Sequence, residues 1–302
     1  MSLLQMSFAG AVMILAIIVI RALAITFLPK KTFLALWGIA VMRLLLPFSL
    51  PSVFSVYSLI GNHIPMTAPA KVQQAFEVLP PEISGQMATM PGGISNTASP
   101  ISVWTIIWGI GALVCALVFA IAYWKCRQEF QTSLPVDNDF IKGWLSSHQL
   151  KREISIRQSS RFSVPLTYGV LRPVILTPTS TDWENTKALQ YVFAHEYVHI
   201  RRFDSITKLV LITGLCVHWF NPLVWAMYVL ANRDIELSCD EAVVRLFGEN
   251  TKAAYARSLI SMEETRSGLT PLCNNFNKNA IEERITAIMK IKKTSVFSLV
   301  LA

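Results

Sequence analysis

His195-Glu196-Tyr197-Val198-His199 sets two imidazoles four residues apart with a carboxylate beside the first. On a helix, positions i and i+4 share a face, so both rings can reach one zinc ion at about 2.0–2.1 Å. Glu196 then projects beside the ion, where a carboxylate takes a proton from water and hands it to a leaving amine. The implied chemistry is zinc-assisted peptide hydrolysis. The bland alternative is a surface helix with two solvated histidines. Leu189, Val192, Phe193 and Val198 argue against it, because they supply an apolar stripe that packs the helix.

A catalytic zinc needs a third protein ligand and one open position. Glu236-Leu237-Ser238-Cys239-Asp240 offers E-x-x-x-D on a second helix. Glu236 and Asp240 share a face, so the first can bind metal while the second holds an imidazole by its other nitrogen. Glu241 and Cys239 are rivals for the third ligand. A soft thiolate would bind zinc well but disfavour hydrolytic turnover, which ranks Glu236 first. Asp204 and Asp234 are expected on helix surfaces or behind the ligands. Val174–Thr177, between Pro173 and Pro178, suits an edge strand. Such a strand could pair with an extended substrate, or serve structure alone.

The elements that must position these groups divide sharply by charge. Residues 1–124 hold five Lys/Arg and two Glu, whereas 125–205 hold eleven Lys/Arg and eight Asp/Glu. With 53% hydrophobic and 15% charged residues overall, the chain fits a membrane protein carrying a polar domain. Leu3–Leu28 is apolar apart from Arg21, which is expected to snorkel. Phe33–Ile60 is a second apolar run and Ile101–Trp124 a third, each long enough for a bilayer core of about 30 Å. Lys30/Lys31 and Lys125/Arg127 flank these runs and should face the cytoplasm. The expected organisation is a transmembrane hairpin at 1–60, an extracytoplasmic loop at 61–100 with a short amphipathic piece around Val72–Val78, and a third span at 101–124. A cytoplasmic catalytic domain follows over 125–293, and a last span begins at 294–302. The N-terminus then lies outside.

Within 125–205, Phe140–Gln149 reads as helix, Glu153–Arg157 alternates, and Thr181–Asp204 reads as a helix capped by Thr181 or Asp182. Ile206–Ala231 is apolar, but Asn221-Pro222 argues for two shorter helices meeting at a break. If Glu236 and His195 serve one metal, that segment must return to the face it left. His218 reads as a packed histidine, His148 as a solvated one. The net charge of +8 has no basic-aromatic patch or Cys/His finger behind it, so direct nucleic-acid binding is not expected. None of the five cysteines has C-x-x-C spacing, and no disulfide framework is indicated.

Taken together, H-E-Y-V-H-I-R-R-F-D, H-W-F-N-P-L-V-W, E-L-S-C-D-E-A-V and L-R-P-V-I-L-T-P resemble the BlaR/MecR-type regulatory membrane metallopeptidases over essentially the whole chain. The resemblance implies an α-helical multi-pass membrane protein with an inserted, mostly helical α+β domain of the zincin-like (gluzincin) type. It implies zinc on His195, His199 and Glu236 with Glu196 as general base. It also implies regulated cleavage of the protein itself or of a cytoplasmic repressor, with a homodimer as a further expectation. A housekeeping membrane protease and a non-catalytic membrane sensor or scaffold are the alternatives. The best-known members carry a penicillin-binding sensor after the last span. Ser205-Ile-Thr-Lys208 matches S-x-x-K, but it follows the zinc helix and has no S-D-N or K-T-G partner, so it reads as coincidence.

Overall fold

The computed structural model describes residues 3–25, 27–46, 102–267 and 274–291, without the side chains of 263–267 and 274–279. The expected loop at 61–100, the remainder of the second apolar run and the segment 294–302 lie outside the described residues. The chain divides into two compact units, Met1–Pro47 with Trp108–Ala302, and Phe48–Ile107. Apart from residues 102–107, the described residues all fall in the first unit.

Most of the described residues are helical. Helices α1 (Leu3–Ala24) and α2 (Lys30–Leu45) are separated by only a few residues and pack on each other. Gly10 permits their close approach, since a Cβ there would overlap the Leu44 side chain. Helix α3 spans Val103–Gln131. Helices α1 and α3 are both long and apolar enough to cross a membrane. Leu113, Val118 and Tyr123 of α3 are exposed, as residues facing lipid rather than protein would be. Trp108 and Trp219 tie α3 to the bundle by donating indole N–H bonds to Val217 O (2.9 Å) and Trp108 O (3.2 Å).

The polar region begins with β1 (Leu134–Pro135), α4 (Asp139–Ser147), β2 (Ser155–Ser159), β3 (Leu166–Tyr168) and β4 (Val174–Pro178). The sheet order is β1-β2-β4-β3, with β2 and β4 parallel and the other pairs antiparallel. The strand at 174–177 is therefore central, not at an edge. Its prolines sit at or just beyond the strand ends, where they leave the ladder intact, and every residue of β4 is buried. The edge strands are β1 and β3. Ile156, Ile175, Leu189 and Phe193 join Ile141 and Trp144 of α4 in one core beneath the sheet. His148 stacks on Trp144 at 4.4 Å rather than standing free in solvent.

Helix α5 (Thr186–Arg202) buries Leu189, Val192, Phe193, His195, Glu196 and Ile200, a spacing that lays one stripe along a helix. Its cap is Asn185, whose side chain accepts the Ala188 N–H (3.2 Å); neither Thr181 nor Asp182 caps it. Thr181 instead donates to Pro178 O, and Asp182 accepts the Glu184 N–H, so both close local turns. At the other end Phe203 adopts φ +58°, the left-handed conformation that ends a helix. Arg152 covers its ring at 3.8 Å and donates to Ile200 O (2.6 Å), fixing that reversal.

Helix α6 (Asp204–Val217) and helix α7 (Pro222–Phe247) meet at the Asn221-Pro222 break. Asn221 accepts the Leu223 N–H (3.0 Å) and donates to Ser7 Oγ (2.9 Å), capping α7 against α1. His218 is fully buried there, with Nε2 3.0 Å from Leu44 O. Ile14, Phe33, Trp37 and Leu44 of the α1–α2 hairpin form one core with Leu211, Leu215, Met227 and Ile235 of α6 and α7. Helices α8 (Lys252–Ser267) and α9 (Asn274–Lys290) close the far side, where Tyr255, Leu259 and Ile288 pack on Ala194 and Val243.

Candidate metal centre

The stripe that buries α5 leaves His195 and His199 one turn apart, facing α7. Their Nε2 atoms stand 3.2 Å apart. Glu236 places Oε2 3.4 Å from His195 Nε2 and Oε1 3.7 Å from His199 Nε2. Two nitrogens about 2.05 Å from a tetrahedral ion are separated by about 3.3 Å, so this triangle has the size a zinc site requires. The three ligand atoms all lie within 4.8 Å of one another. Glu236 is the member of its helix whose carboxylate faces both Nε2 atoms.

The two other contenders are directed elsewhere. Glu241 accepts the Lys30 backbone N–H (2.8 Å) and pairs with Arg245, away from the histidines. Cys239 lies behind His199, with Sγ 3.4 Å from Nδ1, and burial raises its thiol pKa. Cys239, His199 and Asp204 also sit within ligand distance of one another, but Arg202 stands 3.5 Å from Asp204 and 3.6 Å from Cys239. A guanidinium there disfavours a cation.

Each histidine is held at its outer nitrogen by a carboxylate. Asp204 lies 2.7 Å from His199 Nδ1. Of the two placements expected for it, a helix surface or behind the ligands, it takes the second, buried by the left-handed turn at Phe203, which folds α6 back onto α5. Tyr255 donates to Asp240 (2.6 Å) and its oxygen lies 3.0 Å from His195 Nδ1; Asp240 itself is 3.3 Å from that nitrogen. A carboxylate that accepts Nδ1–H fixes the tautomer whose Nε2 lone pair points at the ion. Arg284 of α9 in turn forks onto Asp240 at 2.8 and 2.7 Å. Burial would raise the Asp240 carboxyl, but this fork holds it far below the usual range.

Burial would lower both imidazole pKa values, but the facing carboxylates prevail: His195 is raised and His199 raised well above the ordinary value. Without metal both rings are therefore more basic than a free imidazole, and an incoming cation must displace the protons they hold. Metal affinity should accordingly rise with pH, by up to about tenfold per unit for each proton released. Titration calorimetry in buffers of different ionisation enthalpy would measure this. A flat affinity between pH 6 and 8 would refute it.

Glu196 is buried beside the triangle and its Oε2 accepts the Thr167 hydroxyl at 2.6 Å. Thr167 lies on β3, so that edge strand touches the candidate base directly. A cavity of about 340 Å³ joins Thr167, Glu196, His195, His199, Glu236 and Lys208. Thr167→Val, which keeps the shape and removes the donor, should slow turnover about tenfold with metal content unchanged, the scale of one lost hydrogen bond to a charged group. Steady-state rates checked against metal analysis would decide it.

Thr167, Tyr255 and Arg284 were not singled out from the sequence. They come from three other elements, and no spacing links them to position 195. Asp234, expected on a helix surface or behind the ligands, is fully buried and bonded to the α1–α2 hairpin. Arg21 reaches that carboxylate rather than snorkelling, because α7 brings a buried acid to it at 2.9 Å.

An H-E-x-x-H helix facing an acidic helix, in a chain with two long apolar helices, is the arrangement a membrane metallopeptidase would need. The chain belongs to the BlaR1 peptidase M56 family, whose model matches residues 1–288. It is similar to the regulatory protein BlaR1 of Bacillus licheniformis, with 27% identity over 220 residues, covering 66% of this chain and 36% of that protein. It is also similar to the methicillin resistance mecR1 protein of Staphylococcus aureus strain Mu50, with 26% identity over 192 residues, 61% of this chain and 33% of the relative. The regulatory protein BlaR1 of Staphylococcus aureus matches at 26% over 169 residues, 55% and 29% of the two chains. The chain thus spans about a third of the length of these curated relatives.

Proposed function

We propose that this chain is a multi-pass membrane zinc endopeptidase of gluzincin type that acts in regulated proteolysis, cleaving itself or a cytoplasmic repressor-like protein. The observation that carries the reading is the donor triangle of His195, His199 and Glu236, with Glu196 alongside. Zinc, when bound by those three side chains, supplies a Lewis acid toward a peptide carbonyl and toward water. Glu196 accepts the proton of the attacking water and delivers it to the departing amine, and Thr167 holds its carboxylate in line. The outer edge of β3, unpaired among the described residues, offers main-chain partners to an extended substrate beside Glu196. Lys30/Lys31 and Lys125/Arg127 favour a cytoplasmic catalytic region, with the N-terminus outside. The names of the relatives, a regulatory protein and a resistance protein, favour signalling over general turnover.

The test uses the chain solubilised in detergent. Zinc is expected at about one ion per chain, and incubation with zinc should yield self-cleavage fragments or cut a co-purified repressor, with chelator stopping both. A chain that holds zinc yet leaves itself, repressor candidates and casein intact would instead be a sensor or scaffold.

A further inference from the structure

Helix α7 presents acids on two faces. Glu236 and Asp240, one turn apart, look toward α5 and α9, where the histidines and Arg284 lie. Asp234 and Glu241, two turns apart, look toward the α1–α2 hairpin. Asp234 is fully buried, and among the described residues its hydrogen bonds all come from that hairpin. Arg21 Nε donates to both of its oxygens at 2.9 and 3.0 Å, and the Trp37 indole N–H donates at 2.8 Å. A buried carboxylate stripped of such donors is a costly species, so α7 and the hairpin are held in one relative position.

The same arginine has a second route to the site. Its other end reaches Glu283 of α9 at 3.3 Å. The next residue, Arg284, forks onto Asp240 and lies 4.0 Å from Glu236. Arg21 therefore touches α7 two residues from Glu236, and α9 beside the Arg284 that braces Asp240.

We infer that Arg21 and Trp37 are positioning residues for the metal site: the α1–α2 hairpin, by gripping Asp234 and Glu283, sets the place of Glu236, and the donor triangle closes only while the hairpin is docked. The inference rests on the metal reading above. It goes beyond it by making a long apolar helix at the membrane a determinant of metal affinity. Any event that shifts α1 against α7 would act on the site through these bonds.

The test is cobalt(II) titration of the detergent-solubilised chain, reading affinity and the ligand-field spectrum. Arg21→Gln should weaken cobalt binding at least about tenfold and shift the spectrum toward that of Glu236→Gln. Trp37→Phe keeps an aromatic ring but removes the donor and part of the buried volume, and should weaken binding about three- to tenfold. Arg21→Lys should recover part of the loss. Leu44→Ala loosens the same hairpin core without touching Asp234, and should lower thermal stability while cobalt affinity stays within about twofold. If Arg21→Gln fails to fold, Trp37→Phe against Leu44→Ala decides the matter. Wild-type affinity and spectrum in Trp37→Phe, or an equal loss in Leu44→Ala, would overturn the inference while leaving the metal reading intact. Wild type that binds no cobalt would remove both.

Discussion

Glu196→Gln is expected to cut the rate of proteolysis about 10²–10⁴-fold while zinc content stays at the wild-type level, the range over which a positioned proton-transfer group contributes. The amide keeps the size of the side chain and can still meet the Thr167 hydroxyl, which reaches Oε2 at 2.6 Å. What it cannot do is accept a proton at neutral pH. Glu196 does not belong to the donor triangle, so the metal should remain. The measurement is paired: fragment appearance over time, and metal per chain on the same sample. Equal rates would show that Glu196 is not the base. Lost zinc together with lost activity would make it a ligand instead.

Asp240→Asn should be the most damaging change behind the metal. Asp240 is 1% exposed, and three side chains converge on it: the Arg284 fork, the Tyr255 hydroxyl and His195 at 3.3 Å. Removing its charge leaves the Arg284 guanidinium, itself only 20% exposed, without its main partner. Breaking a buried pair from one side costs about 3–5 kcal/mol, and the lower end suits a partner with some access to water. Loss of the group that orients His195 should also weaken zinc about 10–100-fold. The double variant Asp240→Asn/Arg284→Met separates the two effects. It should regain much of the thermal stability, because the orphaned charge is gone, but not the zinc affinity, because His195 is still unsupported. Thermal unfolding in detergent and chelator competition read them independently; recovery of both together would refute the orienting role.

The parts of the site that share a helix were legible in the sequence. His195, Glu196 and His199 are set by a four-residue period, and Glu236 with Asp240 by the same period, so spacing alone proposed both faces. The third ligand was a choice among Glu236, Cys239 and Glu241, and three-dimensional direction separates them: one carboxylate faces Nε2, the thiol sits behind Nδ1, and the other carboxylate meets Lys30 and Arg245. Contacts that join distant helices left no such trace. Nothing in the order of residues ties Tyr255 or Arg284 to His195, or Arg21 to Asp234. Propensity also misled locally. Thr181 and Asp182 are good capping types, yet Pro178 and Glu184 recruit them into turns and Asn185 takes the cap. Val174–Thr177 looked like an edge because of its prolines, but prolines at the ends of a strand leave its middle free to pair on both sides.

The break at Asn221-Pro222 has a topological consequence. Because His199 and Glu236 meet side by side, the stretch between them must contain an even number of bilayer passages, zero or two, whatever lipid boundary encloses the molecule. Compartment reporters inserted just after Phe203 and just after Gly248 should therefore signal from one and the same aqueous side.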